Sequence, residues 1–185
     1  MCSKADHVAL IAAKEGGGRR LLILSPNTGH VERDATAIIT RFGLDDVQTL
    51  RMSATGDRLV VGSRESFVVM DLRSGTIIYE GAARFPRISP RGDVLAFVDK
   101  RQALWLANLA GGPPRRLMRG WAVPGVGAWS PDGRFLLVGA RTSFSLFDQL
   151  VVVGSANDGF AEIGRLGEGN QGPLFNWIKR TLLTL

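Results

Sequence analysis

One phrase occurs three times in the chain: MSATGDRLVVG from Met52, ISPRGDVLAFV from Ile88 and WSPDGRFLLVG from Trp129. With Ser53, Ser89 and Ser130 in register, a glycine follows three residues later in each copy (Gly56, Gly92, Gly133), and the copies stand 36 and 41 residues apart. A repeat of this length constrains the fold strongly, because each unit is a small supersecondary structure that must bury its apolar surface against the next. Ser-Pro-Asp-Gly is a turn for stated reasons. Proline fixes φ at the first central position, aspartate bonds back to nearby amides, and glycine takes the positive φ that ends the turn. SATG and SPRG are variants that keep the glycine.

Apolar runs of strand length surround each turn. VQTLRMS, ARFPRIS and VGAWS precede the three turns, and LVVG, VLAFV and FLLVG follow them from Leu59, Val94 and Phe135. A second run comes a few polar residues later: FVVMDL from Phe67, ALWLANL from Ala103 and FSLFDQLVVV from Phe144. Another glycine turn follows (RSG, AGG, NDG), then a further strand: TIIYEG from Thr76, RRLMRG from Arg115 and FAEIGRLG from Phe160. The runs are short, β-branched and aromatic, which predicts strands. One unit is a four-stranded antiparallel meander. The N-terminal segment reads as a unit without its first strand: HVALIAAKE, a GGG turn, RRLLIL, an NTG turn and HVERDATAII. Counting the NTG, RSG, AGG and NDG turns gives four units, with glycine separations of 46, 37 and 47 residues.

These units predict an all-β fold: a β-propeller or partial propeller of about four four-stranded antiparallel blades in one domain. The expected blades cover about 1–46, 47–83, 84–122 and 123–167, leaving 168–185 as a closing strand or a terminal helix. As a strand, PLFNW would pair with HVALIAAKE and hide two sheet edges. As a helix, Leu174, Trp177, Ile178, Leu182 and Leu185 would share one face. A third reading is an open part-ring completed by another chain.

SPDG followed by an apolar strand resembles the repeat of TolB-like, WD-repeat-like β-propellers. The resemblance covers about residues 47–167 well and 3–46 loosely, and the motif is clean at Ser130–Gly133. The Gly-His and Trp-Asp pairs of WD repeats are absent, which places the chain nearer the TolB-like side. Membership would imply a periplasmic protein or a non-catalytic domain that binds other proteins. Similar propellers also cover the active sites of prolyl-oligopeptidase-like hydrolases. The chain departs from the family in size, since six or seven blades are usual there.

Charge bears on the partner. The net charge is +6, and 19 of the 23 basic residues are arginine, which favours flat bidentate contacts with carboxylate or phosphate. Tight clusters occur at Arg19-Arg20, at Arg115-Arg116 with Arg119, and at Lys179-Arg180. Arg115, Arg116, Arg119 and the neighbouring Trp121 are the candidate partner-binding residues, with core packing the competing reading for Trp121. Nucleic-acid binding through the same arginines is a weaker reading, because no nucleic-acid motif accompanies them. A lone Cys2 excludes an internal disulfide, and His7 and His30 offer no zinc spacing.

Catalytic signals are sparse. GEGNQG (Gly167 to Gly172) has G-x-G-x-x-G spacing but lacks the helix and acidic residue of a dinucleotide site. GGGRR (Gly16 to Arg20) reads as a hairpin loop before it reads as an anion cradle. No G-x-S-x-G or H-E-x-x-H occurs. Asp57, Asp93 and Asp132 recur with the turns and are read as architecture, while Asp45-Asp46 alone supplies too few oxygens for a cation. No cofactor or metal is expected. The expected role is a non-catalytic module for protein–protein interaction, with an acidic partner or within a larger assembly. A propeller enzyme, or the propeller portion of a hydrolase or lactonase-like protein, is the alternative. No run is long and apolar enough for a membrane span. The chain reads as cytoplasmic, or as periplasmic if already processed.

Overall fold

The computed structural model describes residues 7–14, 16–44, 46–142, 149–156 and 160–165. Its strands form four antiparallel sheets in chain order. The first holds β1 (Val8–Ala13), β2 (Arg19–Leu24) and β3 (Val31–Asp34), and the second holds β4 (Thr49–Met52), β5 (Arg58–Gly62), β6 (Phe67–Asp71) and β7 (Ile77–Gly81). The third comprises β8 (Arg84–Ile88), β9 (Val94–Val98), β10 (Leu104–Asn108) and β11 (Arg115–Leu117). The fourth comprises β12 (Trp121–Trp129), β13 (Phe135–Thr142), β14 (Gln149–Gly154) and β15 (Phe160–Arg165). Within every sheet the strands lie in chain order, so each is a meander. Successive sheets meet through their opening strands: β4 packs on β8, β8 on β12, and β1 touches β4. This is an all-β partial propeller of four blades. Among the described residues no comparable contact joins the fourth sheet to the first.

Blade packing explains why the apolar runs do not alternate. In the second sheet Leu59, Val61, Val68 and Met70 join Leu21 and Ile23 of the first sheet in one core. Val60, Phe67 and Val69, on the opposite face, join Leu95, Phe97 and Ala107 of the third. A strand buried on both faces needs apolar residues at every position, as in the continuous runs of buried parallel sheets. Phe67 and Phe97 are tilted rings 5.5 Å apart across that second interface, and Tyr79 stacks on Phe67 at 6.1 Å. Between the third and fourth sheets, Val98 and Leu104 pack with Val126, Trp129, Leu136 and Val138. The Trp129 indole also donates to the Arg87 carbonyl at 2.9 Å.

The repeated turn ties the second, third and fourth sheets together, each at one point. Ser53, Ser89 and Ser130 are 4%, 1% and 8% exposed, and their hydroxyls accept the amides of Arg58, Val94 and Phe135 at 3.1, 3.0 and 2.9 Å. The glycines take φ of +75°, +74° and +70° at Gly56, Gly92 and Gly133. The turns also stack on one another. The Ala54 amide donates to the Pro90 carbonyl at 2.9 Å. A Cβ on Gly92 would come within 2.9 Å of Arg58 Cγ and 3.2 Å of Ser53 Cβ, whereas one on Gly133 would meet only Pro90 Cδ at 3.6 Å.

The run HVERDATAII after the NTG turn divides in two: its strand ends at Asp34, and residues Thr36–Arg41 form a helix, α1. The Asp34 carboxylate accepts the Thr36 amide at 3.0 Å and also bonds the Thr36 hydroxyl, supplying a helix-start partner to the first turn. Ile39 is buried against the first core, so tertiary packing overrides the β preference of Ile-Ile-Thr. The segment PLFNW, the helical alternative for the tail, and the NDG turn lie outside the described residues.

The two turn glycines give a comparison. Gly133→Ala carries only the positive-φ penalty and is expected to cost about 1 kcal/mol in urea unfolding. Gly92→Ala adds the collision with the preceding turn and is expected to cost about 2 kcal/mol or more. Equal losses would show that the turns do not stack.

Candidate interaction surface

The cluster singled out by sequence proximity does not form one patch. Arg115 and Arg116 are consecutive on β11, paired with Leu106 and Trp105 of β10. Consecutive strand residues leave opposite faces of a sheet. Arg115 reaches the fourth sheet and donates to the Ser155 carbonyl at 2.8 Å. Arg116 lies near Asp99. Burial alone would raise that carboxyl's pKa, but the Ala103 amide, the Trp105 indole, the Arg101 amide and the Arg116 charge outweigh it and hold the pKa below the usual value. Arg119 is exposed in the connection to β12. Trp121 opens β12, half-buried against the core of the third and fourth sheets.

A different pair of arginines is brought together on the opening strands. Arg51 lies on β4 and Arg87 on β8, each two residues before its turn serine, and Ala128 holds the same template position in the fourth sheet. Arg87 is half-buried. Its Nε donates to the Gly127 carbonyl at 3.0 Å and its Nη1 to the Pro86 carbonyl at 3.1 Å. Burial lowers its pKa, and the like charge of Arg51 lowers it further. A guanidinium stays charged even so, which leaves two cations near each other on neighbouring strands. Among the described residues the ion pairs are His7–Glu32, Arg20–Asp34, Arg58–Asp71, Arg84–Glu65 and Lys100–Glu65. Neither Arg51 nor Arg87 is among them.

Phe85 stands at a bulge of the same β8, between Arg84 and Arg87. It is 40% exposed and has φ of +53°. A bulky residue in the left-handed region is strained by about 1 kcal/mol or more, and such outliers concentrate at functional positions. The sequence held a trace of the arginine pair in the register two residues before the serine. Phe85 left only the Phe-Pro step, which disfavours helix for the residue before proline without indicating positive φ.

The recurring acids serve the turns. Ser53 and Ser89 donate to carboxylates four residues on, Asp57 and Asp93, at 3.0 and 2.7 Å. Ser130 instead donates to Asp132, two residues on, at 2.6 Å. At Asp57, burial opposes ionisation, but hydrogen bonds from Thr55 and Ser53 and the Arg58 charge outweigh it and lower the pKa. Asp132 is lowered by the Ser130 hydroxyl and then by the Arg134 amide.

His7 Nδ1 contacts Glu32 at 2.8 Å, and the backbone amide of His30 donates to Thr28. Among the described residues no three His, Cys, Asp or Glu side chains gather as metal ligands. Lys14, Arg19 and the GGG loop border an open cavity of about 340 Å³ with Thr36 and Thr40. Asp45, GEGNQG, Trp177 and Lys179-Arg180 lie outside the described residues, and no described helix is long and apolar enough to cross a membrane.

The sequence matches no family model and no curated protein. Among solved structures it is similar to the hydrazine synthase of Kuenenia stuttgartiensis, with a TM-score of 0.55 and 16% identity over 87% of this chain and 47% of that one. The chain spans about half the length of that neighbour. At this identity the likeness is one of fold.

Depressed carboxylates set the expected pH dependence. Asp57, Asp99 and Asp132 have folded-state pKa values below the usual one, so the unfolded chain binds more protons than the folded one as pH falls. Their stabilisation is complete above the unfolded value near pH 4 and is lost as pH drops through the lower folded values. Urea midpoints should therefore hold steady from neutral pH to about 5 and fall below about 4. Asp99→Asn should soften that fall, and an unchanged acid profile would contradict the assignment.

Proposed function

We propose that the chain is a non-catalytic binding module that recognises an acidic protein partner through its opening-strand face. The observation that carries this reading is the Arg51–Arg87 pair, two cations that the fold places on neighbouring strands. Like charges held close repel, and the repulsion is relieved when a carboxylate bonds to both guanidiniums. Phe85, strained and exposed on the same strand, suits an aromatic anchor beside them. Rigid sheets holding variable strand ends are a common arrangement for recognition sites.

The TolB-like character of the SPDG turn supports a protein-binding role over a catalytic one. Arg115, Arg116, Arg119 and Trp121 would then provide secondary contacts at the outer edge of the third sheet and the start of the fourth. Exposed apolar residues at the two ends of the row, Val8 and Leu10 in the first sheet and Phe135 in the fourth, favour completion of the ring by another chain or a second copy.

Fluorescence anisotropy with a labelled oligo-glutamate peptide tests the reading. Arg51→Ala should weaken binding about tenfold or more, the scale of a lost charge-assisted hydrogen bond. Added NaCl should weaken the wild type in the same direction. Affinity that ignores both the substitution and the salt would overturn it.

A further inference from the structure

The strand that follows the opening strand is the same piece of template in all four sheets, and three of its copies are covered on both edges. β5, β9 and β13 each lie between two neighbours, and Leu59, Val60, Val61, Leu95, Ala96 and Val138 are fully buried there. β1 is the fourth copy. The NTG turn comes after β2 as RSG comes after β6, so β1 corresponds to β5, yet among the described residues no strand lies on its other side. Val8 is 44% and Leu10 38% exposed, whereas Ala9 and Ile11 pack inward. A β1 edge left in this state offers a row of unpaired amides and carbonyls.

A groove of about 300 Å³ lies between the start of β1 and the second sheet. Val8, Ala9, Leu50, Met52 and Leu59 make it largely apolar, and Arg51 and His7, the latter in contact with Glu32, also border it. We propose that this groove seats a strand donated by the partner: an extended segment of alternating apolar and acidic residues that adds to β1 as the missing opening strand of the first blade. Backbone bonds to β1 would give affinity, and alternate side chains would give specificity. Apolar side chains fill the groove, and a carboxylate meets Arg51, which has no acid partner among the described residues. The chain's own GPLFNWIKRTLLTL contains Lys179 and Arg180 but no acidic side chain, so it offers Arg51 no countercharge. The proposal rests on the acidic-partner reading and narrows it to one edge and one backbone conformation.

The test uses the full chain and a labelled peptide of alternating valine and glutamate. Three forms are compared: unmodified, N-methylated along one edge, and N-methylated along the other. Amide exchange of Val8–Ala13 is followed by NMR. Strand addition requires that methylation of one edge abolish binding while the other is tolerated. It also requires exchange of the free-edge amides of β1 to slow about tenfold at a peptide concentration about ten times Kd. If the peptide binds and both methylated forms bind equally well, strand addition fails while the acidic-partner reading survives. If no peptide binds and oligo-glutamate does not either, both fail. If the β1 edge amides are already slow in the free chain, the seat is filled by the chain itself or by a second copy, and the proposal is overturned; sedimentation mass tells those two occupants apart.

Discussion

A buried serine hydroxyl at the end of each opening strand holds the repeat together. At Ser53, Ser89 and Ser130 it accepts an amide five residues on and donates to a nearby carboxylate, so a polar group removed from water is satisfied. Left unpaired, such a group would cost about 1–3 kcal/mol. The same turn reaches a third strand. The carbonyls of Asp57, Asp93 and Arg134 accept the amides of Leu72, Leu109 and Ser155, which lie just beyond β6, β10 and β14. Three strands thus meet at one turn in each of the second, third and fourth sheets. Because Gly92 leaves room for the preceding turn, the sheets can follow one another closely.

This arrangement separates the positions that the fold requires from those it leaves open. Positions in contact with both neighbouring sheets must be apolar, and positions at the turn must be Ser, Gly and an acid. What stays open is the side of the opening strands away from the core, where the equivalent positions hold Arg51, Arg87 and Ala128. Arg87 is tied to the next sheet through the Gly127 carbonyl, while Arg51 has no acid partner among the described residues, and the proposed binding role rests on this pair.

The repeat made most of the fold legible. The turn serines and glycines marked the sheet corners, and the runs from Leu59, Val94 and Phe135 are strands as read, since double-sided burial writes itself as continuous apolar sequence. α1 was not legible because Ile38, Ile39 and Thr40 favour strands locally and only the Asp34 bond to the Thr36 amide and the core beneath Ile39 make them helical. The site was less legible than the fold. Adjacent arginines in sequence, Arg115 and Arg116, part to opposite faces of β11, while Arg51 and Arg87, 36 residues apart, are brought near each other. Only the register of the repeat links them, and that register becomes spatial proximity once neighbouring blades pack through their opening strands. Asp132 shows the reverse case. Its place in the sequence differs from those of Asp57 and Asp93, yet it serves the same hydroxyl, because an acid either two or four residues on can reach it.

Native-state hydrogen exchange at the turns tests this account most directly. The amides of Arg58, Val94 and Phe135, bonded to the serine hydroxyls, and those of Leu72, Leu109 and Ser155 should exchange among the slowest in the protein and respond together to mild denaturant. Were these six to exchange as fast as the Gly17 amide while the central strands stay protected, the serine turn would be an ornament on the sheets and the account would be wrong.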